Sequence, residues 1–508
     1  MKVLLINPYS NILNDEPPLG IAHIASFLEK NGIDVKLYDF AVLNHGIGEI
    51  KRIIREESPD VLGLTFLTSS RFNAFEIARF ANSLGIKVIA GGPHISFTAA
   101  ETLGEHPYFD FAVLGEGEIT THELLKYLAG DGREIKDING IAFREDGRVV
   151  FTPHRQFIED LENLPMPAWH LLPMNRYPHH TLMGYRGCCS DCVFCSSPNF
   201  WKKKIRGISA TAFVDQIEYL IKNYGKKRFL FRDDYFTLNK TWVTEVCDRI
   251  LRKNIRIKWS CQGRVTNPDE SLFRHMKRAG CYQICFGIES GSERVLGAIR
   301  KKIDKEEAKK TIRLARKTGF NTIGTFFMLG HPTETEEDMK ATYDFALELK
   351  ADLVSFKPAD IFPGTELFET ASREGLLKGF NWSRKGLYGA NFAMLEDIPC
   401  FLPKGFDRDL LSRRAKEFYI NSFFDRIISM KSIREMWYFT STQIGLNFTK
   451  EDMGIFLGTL NKKIICNRFL KRKIVLVFVL ILALCIKSAR LLKRVIGARS
   501  YCDRQEDI

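Results

Sequence analysis

This 508-residue sequence predicts an α/β fold. An N-terminal doubly wound, Rossmann-like parallel sheet over 1–130 leads through a linker (131–175) into a partial (β/α)6 barrel over 176–375. A helical region over 376–460 and a basic, apolar-cored tail over 461–508 complete the chain. Three observations carry this reading. Short apolar runs alternate with stretches of helical spacing, as parallel strands buried on both faces require. Glycines sit where the apolar runs stop. The alternation breaks once, in a proline-rich stretch, and then resumes. With 45% hydrophobic and 27% charged residues the composition is that of a globular protein, so neither a disordered nor a fibrous chain is expected.

In the first domain "KVLLINP" (2–8), "DVKLYDF" (34–40), "DVLGLTF" (60–66), "KVIAGG" (87–92) and "FAVLGEG" (111–117) read as strands. Helical patterns such as "GIAHIASFLEKNG" and "RFNAFEIARFANSLG" separate them. Open sheets of this kind bind ligands at the carboxyl ends of their strands. Gly91, Gly92, Gly115, Glu116 and Gly117 fall there. Glycine lets a ligand approach the backbone closely, although each of these also reads as a turn residue. No Gly-x-Gly-x-x-Gly follows the first strand, which argues against a dinucleotide site.

A hairpin is expected around Asp146-Gly147, and "LENLPMPAWHLLPMNRYPHH" reads as a proline-broken connection. His170, His179 and His180 in it are more simply packed or solvated than ligating. Beyond it, "HTLMG", "RFLFRDD", "RIKWSCQG", "QICFGIES", "TIGTFFMLG" and "LVSFKPA" supply six further strands. Chemistry in barrels sits at the strand C-termini. Asp233, Asp234, Arg264, Glu289, Ser290, Gly330 and His331 fall at those ends. The Pro-Gly of "IFPGTELFETA" reads as a turn.

The net charge of +13 is concentrated: residues 461–500 hold eleven Lys or Arg and no acid, leaving about +2 for the rest. These basic residues flank "IVLVFVLILALCI", Ile474 to Ile486. Thirteen residues make a helix of roughly 20 Å, short of a bilayer core of roughly 30 Å. Basic flanks suit anionic headgroups, so a membrane surface is the expected partner, with a buried core helix as the alternative. No nucleic acid is expected, since no aromatics are interleaved for base stacking. The chain enters a strand directly from Met1, so no leader is expected. All 12 cysteines lie beyond residue 187. Such clustering suits reduced thiols in the cytoplasm, not a disulfide scaffold.

Four of those cysteines crowd into "YRGCCSDCVFCS" (185–196). Cys188, Cys192 and Cys195 fit Cys-x3-Cys-x2-Cys; Cys189, Cys192 and Cys195 also fit, as two Cys-x2-Cys steps. Structural zinc wants four ligands in separated pairs, and no second pair follows at usable spacing. Three thiolates suit an iron–sulfur cluster with one iron left open, and an open position marks a reactive site.

This loop, including Phe194 just before the last cysteine, resembles the cluster loop of the radical S-adenosylmethionine (SAM) superfamily. The resemblance implies a [4Fe–4S] cluster on Cys188, Cys192 and Cys195. It also implies SAM on the fourth iron and Cys189 outside the ligand set. "FGIESGSE" and "FMLGHPTETEED" resemble segments that line the SAM site. They imply Glu289 and Ser290 at the ribose or methionine end, Arg264 beside them, and Gly330 where the wall approaches adenine. "EPPLGIAHIASFLEKNG", "GGPH" and "LGEGE" look like the cobalamin-binding domain fused to part of that superfamily, with Gly91, Gly92, Gly115 and Glu116 as the implied contacts. Asp-x-His-x-x-Gly is missing, so cobalamin is expected without a histidine below the cobalt, and His94 is not expected to serve. The implied activity is C-methylation of an unactivated carbon, with flavodoxin or ferredoxin as electron donor; the membrane reading of the tail adds the expectation of an apolar substrate. The alternatives are a radical cyclase acting on a porphyrin ester and a non-catalytic cobalamin sensor. A methylthiotransferase would carry three cysteines in its first domain, where this chain has none.

Overall fold

The computed structural model describes residues 1–9, 16–43, 45–384 and 399–429. Most of 376–460 and the whole basic tail, with Ile474 to Ile486, lie outside them. Among the described residues no helix is long and apolar enough to cross a membrane.

The first sheet holds β1 (Lys2–Asn7), β2 (Asp34–Asp39), β3 (Val61–Thr65), β4 (Lys87–Gly91), β5 (Phe111–Val113), β6 (Ile141–Glu145) and β7 (Arg148–Phe151). Its order is β2-β1-β3-β4-β5-β6-β7. The first five strands are parallel, while the hairpin β6–β7 adds antiparallel at one edge. Side chains alternate across a strand, and the core follows that alternation. Val3, Leu5, Val35, Leu37 and Val61 face Ile21, Ala22, Ala25 and Leu28 of the helix Leu19–Lys30. Leu4, Ile6, Leu62, Leu64 and Val88 face the helices Ile47–Glu57 and Arg71–Ser83. Apolar runs without a polar face are the sequence expression of a sheet covered on both sides.

The proline-broken connection is packed rather than solvated: Trp169 is 1% exposed, and buried Tyr177 donates its hydroxyl to Asp39 at 2.6 Å. Exposed His170 meets Glu29 at 3.0 Å, and His180 is buried on the next strand.

That strand is β8 (His180–Leu182); a short pair, β9 (Tyr185–Arg186) and β10 (Arg206–Gly207), brackets the cysteine loop. The second sheet continues with β11 (Arg228–Phe231), β12 (Lys258–Gly263), β13 (Cys281–Glu289), β14 (Thr322–Leu329) and β15 (Leu353–Pro358). All are parallel in the order β15-β14-β13-β12-β11-β8, the open six-stranded barrel expected. The helix Arg408–Ser429 covers β15, with Phe418 stacked 4.6 Å from Tyr343.

The two sheets share one apolar cluster, which runs from Val3 and Leu5 to Phe231 and Trp259. The Pro-Gly turn after β15 does more than reverse the chain. Phe97 of the helix Pro93–Glu105 lies against Gly364, where an added Cβ would stand 2.4 Å from its ring.

Candidate functional site

The loop between β9 and the short helix Ser197–Phe200 carries the cysteines to the C-terminal mouth of the barrel. Backbone hydrogen bonds pin it: Cys195 N to Cys192 O (3.2 Å), Val193 N to Ile299 O (3.3 Å) and Leu367 N to Val193 O (3.0 Å). Cys188 and Cys192 are each 8% exposed and Cys195 is half-buried, whereas Cys189 is exposed. Burial pushes the Cys192 thiol up and Cys195 to about 12, and each also feels Cys188. Cys188, Cys192 and Cys195 are thus the sheltered thiols of the loop, and Cys189 is the one that faces solvent. Among the described residues no three His, Cys, Asp or Glu groups converge on a single-ion site. A four-iron cluster spreads its thiolates more widely than one ion does, so the donor set suits a cluster.

Around the loop the barrel supplies charge. Arg264, after β12, donates to Ser190 Oγ in the loop and to Lys301 O at 2.6 Å. Lys301 Nζ meets Glu289 Oε1 at 2.8 Å and lies 5.8 Å from the Phe194 ring centre. Nothing in the sequence pointed to Lys301: an exposed lysine looks the same until the fold buries it. Glu289 closes β13 at φ 74°, beside a register shift. A non-glycine residue held in the left-handed region is strain of the kind found at functional sites. Ser290 is fully buried with its hydroxyl committed, to Thr342 Oγ1 at 3.0 Å and from Ser292 N at 3.1 Å. Gly330 adopts φ 86°, and the close neighbours of its open side are Leu411 and Phe401 O, 2.6 and 2.8 Å from where a Cβ would stand. The C-terminal segment thus makes the close approach that this glycine permits. Glu334 accepts from the Gly330 and His331 amides, and burial lifts its carboxyl to about 7. His331, 1% exposed and 6.3 Å from Phe194, is held down to about 4 by burial. Asp233 is similarly raised to about 7 by burial, although it accepts from Gly184 N (3.1 Å) and Tyr185 N (2.6 Å).

A cavity of about 620 Å³ opens at the carboxyl ends of the first sheet. Gly91, Gly92, Gly115, Glu116 and Gly117 all line it, as does Gly63 of β3. At Gly92 (φ 99°) a Cβ would meet Thr65 Oγ1 at 2.8 Å, so glycine keeps this strand end open. Leu19, Ile24, Leu67 and Met166 give the cavity a largely apolar surface, suited to a broad ring such as a corrin. Its far wall comes from the other domain: Met183, Gly184 and Arg186 before the cysteine loop, Phe200 and Trp201 after it. Glu116 is committed to ion pairs, with Arg186 Nη1 and Arg206 Nη1 each at 2.8 Å, and Glu118 takes Arg186 Nη2 at 2.7 Å. Burial works against the Arg186 charge, but Glu118 and Glu116 outweigh it and hold its pKa up. His94 is 1% exposed and shares Nδ1 with Thr68 Oγ1 at 3.0 Å. Half-buried His23 does line the cavity; the first-domain helix pattern gave no hint of that.

Two family models match the chain: the B12 binding domain over residues 9–125 and the Radical SAM superfamily over residues 182–346. An uncharacterized methyltransferase of Pyrococcus horikoshii is 34% identical, covering 86% of this chain and 95% of the relative. The anaerobic magnesium-protoporphyrin IX monomethyl ester cyclase of Rubrivivax gelatinosus is 29% identical, over 73% of this chain and 70% of its own. The structure of the radical SAM methyltransferase TsrM from Kitasatospora setae superposes with a TM-score of 0.69 at 16% identity, covering 91% of this chain and 100% of that one, a likeness of fold. The chain belongs to the cobalamin-binding radical SAM enzymes, the family of radical SAM methyltransferases and anaerobic cyclases, whose cofactors are a [4Fe–4S] cluster, SAM and cobalamin.

Proposed function

We propose that this enzyme C-methylates an unactivated carbon of an apolar substrate, such as a lipid, a terpenoid or a tetrapyrrole. The observation that carries the reading is the shared wall. The cavity at the first sheet's strand ends is closed by Met183, Gly184, Arg186, Phe200 and Trp201, which flank the cysteine loop. A methyl carrier in that cavity and a radical source on that loop would face a substrate from adjoining sides. Cys188, Cys192 and Cys195 hold the cluster in this reading, and Arg264, Glu289 and Phe194 border SAM. When bound, these cofactors supply a 5′-deoxyadenosyl radical that removes hydrogen from carbon and a methyl group to replace it. The chain's own part is placement. Backbone bonds from Val193 to Ile299 and Leu367 fix the loop, and the apolar wall excludes water.

The test is anaerobic turnover with methyl-labelled SAM, a one-electron reductant and candidate substrates. Methylation releases 5′-deoxyadenosine and S-adenosylhomocysteine together and puts label into product. Cyclisation is the second reading, favoured by the 29% identical cyclase. It would release 5′-deoxyadenosine and leave the product unlabelled.

The apolar substrate class also leans on the tail. Thirteen apolar residues between basic flanks should hold the enzyme to an anionic bilayer, each basic charge near the surface adding about 1 kcal/mol. Full-length protein is then expected to co-sediment with anionic vesicles at low salt, and a chain ending at residue 460 to stay in the supernatant. Equal partitioning of both would remove the membrane argument.

A further inference from the structure

Lys301 is an unexpected residue at the barrel mouth. It is 9% exposed, lies beside the cysteine loop, and no step of the proposed reaction calls for it. Three elements fix it there. Its backbone carbonyl accepts from Arg264, which also holds Ser190 of the loop. Its ammonium meets Glu289 Oε1 at 2.8 Å at the end of β13, and it lies 5.8 Å from the ring of Phe194, the neighbour of Cys195. Glycine at 287 keeps the pair together, since a Cβ there would stand 2.3 Å from Glu289 Oε1 and 3.0 Å from Lys301 Nζ. A buried ion pair is weak evidence of stabilisation, so its presence here asks for another reason.

We propose that the Lys301–Glu289 pair sets the reduction potential of the iron–sulfur cluster, Lys301 drawing it up and Glu289 holding it down. The inference rests on the reading that Cys188, Cys192 and Cys195 carry that cluster. Reduction adds one electron from a low-potential one-electron donor, taking the cluster from its 2+ to its 1+ state without making or breaking a bond. The added negative charge is stabilised by a nearby cation and opposed by a nearby anion. Both effects are large where water is excluded and small where it is not. Lys301 brings its cation to the ring of Phe194, beside Cys195, while Glu289 stands behind it at the end of β13. Lys203 also sits by the loop, paired with Asp191, but it is exposed and screened.

The test is a spectroelectrochemical or EPR-monitored titration of the anaerobically reconstituted full chain without SAM. Lys301→Met should shift the potential negative and Glu289→Gln positive, with the double variant between them. Lys301→Arg should restore the wild-type value, and Lys203→Met should leave it in place. A merely structural pair would not give shifts of opposite sign. Should Lys301→Met fail to assemble a cluster, Glu289→Gln decides alone: a positive shift supports the proposal and an unchanged potential overturns it. Assembled clusters whose potentials stay put, or move in one direction in both variants, also overturn it. A wild-type chain that binds no cluster would instead remove the site reading on which the inference stands.

Discussion

Cys189 is exposed beside Cys188 and two residues short of Asp191, whereas Cys188 and Cys192 are nearly buried. A loop pinned through Val193 and Cys195 cannot swap one thiol for the next without turning a peptide over. Cys188→Ala, Cys192→Ala and Cys195→Ala should each abolish the iron–sulfur absorbance near roughly 400 nm and SAM cleavage, since three thiolates leave no spare ligand. Cys189→Ala should keep both, and a functional Cys188→Ala would refute this register. His94 offers a second test. Burial holds it down to about 3, chiefly by desolvation and then by Arg71. A histidine depressed below its usual 6.5 contributes stability that is present above pH 6.5 and lost as pH falls from there towards 3. By pH 5 that amounts to about 2 kcal/mol. His94→Gln, which does not titrate, should show a smaller drop in melting temperature between pH 7 and pH 5. Because His94 is engaged with Thr68, His94→Ala should also leave the spectrum of bound cobalamin unchanged.

Strand β13 bends beside the candidate site. Its register against β14 shifts between Gly287 and Glu289, and Glu289 takes φ 74°, at a cost of about 1–3 kcal/mol. Gly287→Ala would drive a methyl group into the Glu289 carboxylate. It should lower stability by about 1–3 kcal/mol, as overpacking does, and weaken SAM binding measured by equilibrium dialysis. Gly104→Ala in the helix Pro93–Glu105 meets nothing within 4 Å and should stabilise by up to about 1 kcal/mol. Urea midpoints of the two variants moving the same way would contradict this account. The strands themselves were readable from the sequence because parallel strands are apolar on both faces over contiguous residues. The cysteine loop stood out in the sequence because its three proposed ligands are local, within eight positions. Lys301 was not, since its burial depends on a bulge twelve residues away and a loop more than a hundred residues away. The turn at Gly364 looked like any Pro-Gly reversal, because Phe97, which it accommodates, belongs to the other domain. Trp169 and Tyr177 hid in a proline-rich stretch for a related reason: no periodicity announces a segment that packs without being regular.

Across the molecule, two kinds of polar contact join the domains, and they should differ sharply in weight. Arg384 reaches Glu105 at 3.4 Å with its side chain 73% exposed. Pairs of that sort contribute about 0–1 kcal/mol. Glu116, by contrast, is 4% exposed in its side chain and takes Arg186 and Arg206, themselves 12% and 5% exposed. It also accepts from Ile158 N at 2.9 Å, so one carboxylate ties the end of β5 to the connecting segment and to both strands that bracket the cysteine loop. Replacing it leaves Arg206 without its carboxylate and Arg186 with Glu118 alone, both largely buried, and breaking a buried pair in this way costs about 3–5 kcal/mol. The loss should not stay local, because Arg186 and Glu116 both line the cavity while Arg186 stands two residues before Cys188. Glu116→Ala is therefore expected to lower the unfolding midpoint, loosen cobalamin retention on desalting and reduce iron incorporation together. Arg384→Ala should change none of the three measurably. A Glu116→Ala protein that lost cobalamin but kept full stability and iron content would mean that Glu116 is only a contact to the cofactor, and that the domains are held together by their shared apolar core alone.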